Sequence, residues 1–457
     1  MVWIGCPVGT AIALKEPTKT IPYPTKLIPR EAKEEQKDQQ CLILDETKPI
    51  GEWTPQEQYV DGNWGPQEKW MWKQICLGKE ADLSLKEYKE YLEKEHKPYL
   101  EIYCQNDDQD CRTVKTKEFL QTILLREPFR SALPEKVVIK NAIFPEDVDL
   151  SSTVIDKELH LEESIFEGNV NFNSSEISQS LYFDNSTFKK LLQLNNAVIQ
   201  GSLFLTKAHF EPDLNSLLKD VPNKGEEAEK ADEEEKDRII INLRNIEVKD
   251  DINLKDVIIK LKPNEPNEEI KKKEFGLKPL GLLGAQIGKS LDMRRVNFED
   301  GFSNWCNKLP DDKETGRTKN VCGQVELIAA KIGDALKINI STINKSKLSI
   351  QNAQINTFLM EITDQIFENL EKVELLPILK NQKQIPEDII PLLSINIDMQ
   401  NANVNTFRVI SDKSNKEKNN NTQKKDKFCK LNLNGFLYQQ VNISGFNWLV
   451  ICLADKY

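Results

Sequence analysis

Apolar residues recur along most of this chain at a spacing of eleven. Val148, Leu159, Val170, Leu181, Leu192 and Leu203 form one series, and Leu150, Leu161, Phe172, Phe183, Leu194 and Leu205 follow two positions behind. A third series runs Ile155, Phe166, Ile177, Phe188, Ile199 and Phe210. Between the second and third lies a column of small residues, Thr153, Ser164, Ser175, Ser186, Ala197 and Ala208. One step back adds Val137, Ile139, Ala142 and Phe144. Four columns that stay in phase over consecutive units mark an internal repeat.

Each unit reads apolar-x-apolar, two polar residues, small-x-apolar, then about three polar residues. Alternation over three residues is the period of a short strand, whereas an amphipathic helix needs apolar residues three and four apart throughout. The polar pairs Ser151-Ser152, Asn173-Ser174, Asp184-Asn185 and Asn195-Asn196 are turn formers that tolerate a left-handed backbone. Each unit is therefore two short sides joined by a corner. Two units close one coil, and coils stack at about 4.8 Å. The expected fold is mainly β: a right-handed, four-sided parallel β-helix with two 11-residue half-coils per coil.

The pattern resumes after each interruption, as in Ile241, Leu243, Ile246 and Val248, and again in Leu280, Leu282, Ala285 and Ile287. Residues 136–457 are thus read as the solenoid, with loop insertions at 213–237, 260–278, 299–322, 364–391 and 411–427. About nine coils follow, a rod of roughly 45 Å. The acidic run from Gly225 to Asp237 lacks apolar residues to bury and reads as disordered, whereas 364–391 carries enough of them for a docked helix.

Ahead of the repeats, residues 1–60 read as an extended arm and 61–135 as a small helical cap. Gly65-Pro66 opens an amphipathic helix bearing Trp70, Trp72, Ile75 and Cys76, and Leu83 to Glu95 and Thr116 to Leu125 suggest further helices. Such helices suit the exposed strand edge at the start of a solenoid, and the tryptophans read as core.

The small-x-apolar elements Ala142-Ile143-Phe144 and Ala197-Val198-Ile199 resemble the repeat centre of pentapeptide-repeat proteins, although the strict 11-residue step departs from their five-residue one. The stretch from Trp70 to Asp82, with the later half-coils, resembles large bacterial pentapeptide-repeat-like proteins, some labelled membrane-associated oxidoreductase. The resemblance implies a four-sided right-handed β-helix, and chains that continue past Tyr438 into helical segments. The oxidoreductase label has no motif to rest on here, since no G-x-G-x-x-G opens a helix after a strand.

Composition narrows the function classes. A net charge of −11 argues against direct nucleic-acid binding, and no apolar run reaches membrane-span length. Nine cysteines form no metal-ligand spacing; Cys104 with Cys111, or Cys306 with Cys322, would bridge in an oxidising compartment, but free thiols in a reducing cytosol are the favoured expectation. A cytoplasmic location is favoured, with a periplasmic or secreted one if the true start lies upstream. The sequence offers no nucleophile elbow, zinc-protease motif or phosphate loop, so no catalytic residue, cofactor or metal is assigned. His160, Tyr182 and Phe204 fall between inward residues of successive coils and make an outward aromatic column, either a partner-contact strip or, as favoured, a stabilising ladder. The leading functional expectation is a non-enzymatic scaffold contacting another protein, ahead of an acidic nucleic-acid mimic and a β-helix enzyme acting on polysaccharide.

Overall fold

The computed structural model describes residues 64–97, 99, 104, 111–127, 129–213, 237–260, 276–298, 324–339, 347–362, 397–399, 401–411, 431–432 and 437–443. The described residues are mainly β, and among them every paired strand is parallel and the strands form three sheets. The arm expected at 1–60 and most of the expected insertions lie outside the described residues.

Strand pairing follows from the 11-residue unit. Leu159 pairs with Leu181 and Leu181 with Leu203, while Val148 pairs with Val170 and Val170 with Leu192. Neighbours in space are therefore two units apart in sequence, and alternate units build opposite sides. One coil contributes four short strands. The first stack runs from Lys136–Lys140 through Leu181–Tyr182 to Leu291–Met293, and the second from Ile143–Phe144 to Asn297–Phe298. The third runs from Val148–Asp149 to Leu431–Asn432, and the fourth from Val154–Ile155 to Gln286–Ile287. The third stack holds nine strands, which at about 4.8 Å apiece spans roughly 38 Å.

The alternation of Phe and Ile in the third apolar series acquires a meaning in this geometry. Phe144, Phe166, Phe188 and Phe210 all belong to the second stack, with successive ring centroids 5.1, 5.0 and 4.6 Å apart and near-parallel planes. Ile155, Ile177 and Ile199 belong to the fourth. The repeat that the fold reads is thus the pair of units, with a ring ladder inside one wall and branched aliphatic side chains inside the other.

Corners are fixed by backbone conformation. Asn141, Ser152, Glu163, Ser174, Asn185, Asn196 and Lys207 all have positive φ near 55°, and the series continues at Asn245, Asp256, Gly284 and Arg295. The amide of Ser175 donates to the carbonyl of Phe172 at 3.1 Å and that of Ala197 to Leu194 at 3.1 Å, which closes a four-residue turn with its third residue left-handed. This is the type II pattern, and it explains the Asn-rich corners, since Asn adopts positive φ at lower cost than other side-chain-bearing residues.

From Lys331 the fourth and first stacks join. Lys331–Asn339 pairs with strands of both, and Gln354–Ile362 and Asn403–Ser411 continue as long strands. The register shifts where Gly333, Asp334 and Ala335 give way to Asn356 and Thr357, so the corner shortens by a residue. The strand that resumes at Gly276 includes Lys278, which the sequence pattern had assigned to the insertion at 260–278.

Among the described residues four helices precede the coils: α1 Pro66–Cys76, α2 Lys86–Glu95, α3 Phe119–Leu125 and α4 Phe129–Ala132. Proline at the first turn opens α1, and Gly78, with φ +72°, ends it: Lys79 donates to Gln74 and Gly78 to Ile75. Trp64, Trp70 and Trp72 are buried in a core that runs unbroken into the solenoid. This segment also occupies the first coil's strand edges. Ala81–Asp82 pairs with Ile139 and Lys140, Thr113 bridges Ile143, and Gln121 donates to the carbonyl of Asp149.

The cysteine expectation is corrected here. Cys104 and Cys111 are joined in a disulfide with Cα atoms 5.3 Å apart, and Cys76 is disulfide-bonded as well. Folding of the cap brings Cys104 to Cys111 at a separation suited to bonding, a fact the spacing alone does not fix. Cys306 and Cys322 lie outside the described residues. No described helix is long and apolar enough to cross a membrane.

Candidate functional site

The column His160, Tyr182, Phe204 lies on the outside of the first stack, each residue paired in register with the next. The rings stack closely: His160 on Tyr182 at 3.7 Å and 11°, Tyr182 on Phe204 at 4.5 Å and 9°. His160 is buried, and Tyr182 and Phe204 are half-buried. Its imidazole sits between two carboxylates of its own strand, Nε2 2.7 Å from Glu158 and Nδ1 2.5 Å from Glu162. The His160 hydrogen bond holds the Glu162 carboxyl below its usual range, while burial pushes Asp184 and the Tyr182 hydroxyl up. The three residues are thus brought together, chiefly with one another.

The third stack carries an outward ladder of Asp149, Asn171, Gln193 and Asn242. The amide of Asn171 donates to Asp149 at 3.1 Å, and that of Asn242 to Gln193 at 3.1 Å. Further along the same side, Glu326 accepts from Lys278 at 2.8 Å and lies 3.3 Å from Arg244, all three largely buried. His209 stands in the second stack, away from His160. Among the described residues no group of three His, Cys, Asp or Glu side chains converges to hold a metal ion.

A feature that single-unit reading misses is a groove of about 690 Å³ on the fourth stack. Its walls come from two outward rows. The first is Val198, Glu247, Gln286, Lys331, Gln354 and Asn403, residues that pair in register from coil to coil. The second row lies two positions on and includes Lys249, Gly288, Gly333, Asn356 and Asn405. Glycine is required in its middle: a Cβ at Gly288 would stand 2.0 Å from the carbonyl oxygen of Lys249, and one at Gly333 2.1 Å from that of Gly288. Two adjacent coils therefore present no side chain there, and the row opens into a trough. Amides make up most of the polar side chains in the lining, and Asn405 donates to Asn356 at 3.1 Å.

The insertions obey one rule. Segments 214–236, 261–275 and 299–323 each begin after a strand of the second stack and end before one of the third. The expected insertions at 364–391 and 411–427 likewise fall between a long strand and a strand of the third stack. The edge leading into the third stack receives them all, and the fourth stack runs on without interruption into the first.

No protein-family model, curated protein or solved structure matches the chain.

Proposed function

We propose that this chain is a non-catalytic binding solenoid, a right-handed, four-sided β-helix of pentapeptide-repeat-like form, whose insertion-bearing edge contacts another protein. The observation that carries the reading is the placement of every insertion at one edge. In a stacked repeat, extra residues at one corner project from one side and add contact surface without disturbing the wall that supports them. The left-handed corner residue in each half-coil and the small column beside it support the four-sided form.

Catalysis is disfavoured by how the carboxylates are used. Glu158 and Glu162 are both engaged by His160, and Asp256 is held by Arg295 across 2.7 Å, which keeps its carboxyl low. Nucleic-acid mimicry needs a bare row of acids, whereas Asp149 is bonded to an amide and Asp256 to a guanidinium.

A photo-crosslinking residue placed at Asp213 or Lys260, where insertions leave the body, should trap a discrete protein in the native cell. The same probe at Val154, exposed on the fourth stack, should not. Equal trapping from both sides, or none, would remove the edge from the argument. Turnover of a polysaccharide or redox substrate, abolished by one outward substitution, would end the non-catalytic reading.

A further inference from the structure

We infer that the trough on the fourth stack is a second binding site, one that takes an unbranched neutral glycan lying along the solenoid axis. It is distinct from the insertion edge and does not depend on a protein partner there. Gln200, Gln286, Gln354, Asn356, Asn403 and Asn405 supply primary amides over successive coils. Each amide offers two donors and an accepting oxygen, which suits hydroxyl groups that both donate and accept. The charged lining is sparse, one acid, Glu247, with two bases, Lys249 and Lys331.

Other linear polymers fit less well. A peptide adding to a sheet needs a free strand edge, but strands of this wall are paired on both sides, as Glu247 is to Val198 and to Gln286. Side-chain amides repeating at about 4.8 Å also fall out of step with an extended peptide, which advances about 3.3 Å per residue. A nucleic acid would require cations tracking its phosphates, and two lysines beside a glutamate do not provide them. The trough is open along its length, so chain ends are not needed for entry. Glu247 is the one carboxylate among the described residues lining it, short of the pair that glycosidic hydrolysis uses, so the expected outcome is retention without cleavage.

The test uses the intact purified protein with soluble hexasaccharides of β-linked glucose, β-linked N-acetylglucosamine and α-linked glucose, plus a uronate hexamer as the anionic contrast. Calorimetry should register binding of at least one neutral hexamer. The double variant Gln354→Ala/Asn356→Ala should weaken it at least tenfold, with an unchanged melting temperature because both side chains are exposed. Tyr182→Ala, on another wall, should leave it unchanged. Failure of all neutral hexamers, tighter binding of the uronate, or indifference to the double variant would each overturn the inference. None of those results touches the insertion-edge proposal, which stands or falls on the crosslinks. Cleavage of a bound hexamer would keep the site and remove the non-catalytic reading.

Discussion

The small column shows how much one atom decides inside a narrow coil. Ser175 Oγ lies between the carbonyls of Phe172 at 2.8 Å and Leu150 at 2.7 Å and shares its one proton with them, so it ties its own turn to the coil before. Ser186 Oγ also donates, to Leu161 at 2.8 Å, but in addition accepts from the backbone amide of Ser164 at 3.1 Å. Removing a hydroxyl that only donates should cost about 0.5–1.5 kcal/mol, whereas leaving a buried N–H without an acceptor costs about 1–3 kcal/mol. Ser186→Ala should therefore destabilise more than Ser175→Ala. Urea unfolding of the two variants checks the order, and equal midpoints would contradict it.

Glu162 gives a pH dependence at the same scale. Its carboxyl titrates lower in the folded chain than its ordinary 4.5, first because of the His160 hydrogen bond. A depressed carboxyl contributes stability that is complete above the unfolded value and is lost as pH falls through the folded one. Asp184, raised by burial, acts in the opposite sense: its contribution is present below its unfolded value and is lost as pH rises. The melting-temperature difference between wild type and Glu162→Gln should accordingly shrink as the pH is lowered from 6 toward 3. A constant difference would show that the pair with His160 carries no linkage.

At the level of elements, cross-strand stacking is the unit of stabilisation in these very short strands. A strand such as Leu181–Tyr182 has little of its own to hold it, so ladders of like residues supply the cohesion between coils. The outer column of His160, Tyr182 and Phe204 resembles the inner phenylalanine ladder in spacing. Each stacked pair contributes about 0.5–1.5 kcal/mol beyond area burial. Tyr182→Ala/Phe204→Ala should therefore lower stability by about 1–3 kcal/mol in chemical denaturation, on the ladder reading. If stability is unchanged and protein crosslinks at the edge are lost instead, the column is a contact strip. Glycines act at this scale too: Gly288 and Gly333 let one coil's backbone pass so close to the next that the outer wall loses its side chains and becomes a trough.

For the molecule as a whole, the edge of the first coil is the point that needs cover. A row of unpaired strand groups templates association with other chains, and Ala81–Asp82, Thr113 and Gln121 occupy that row. A chain beginning at residue 134 should therefore self-associate, and light scattering should report species larger than the monodisperse parent. A truncated chain that stays monodisperse would mean that the helices protect nothing.

What the sequence determined by itself was the repeat: which side chains point inward, where strands alternate with corners, and that coils stack in parallel. Those properties are local, because an inward Leu181 or a left-handed Asn185 is dictated by its own side chain and its near neighbours. The column of His160, Tyr182 and Phe204 was legible for the same reason, as it needs only the 22-residue step. Tertiary structure decided the rest. Only stacking sets Lys249, Gly288 and Gly333 in one row and brings the five expected insertions to one edge. The steps between such residues vary with the length of each insertion, so no fixed period in the chain reveals them. Their proximity comes from backbone pairing between coils, which joins residues by register and disregards how far apart they lie in sequence.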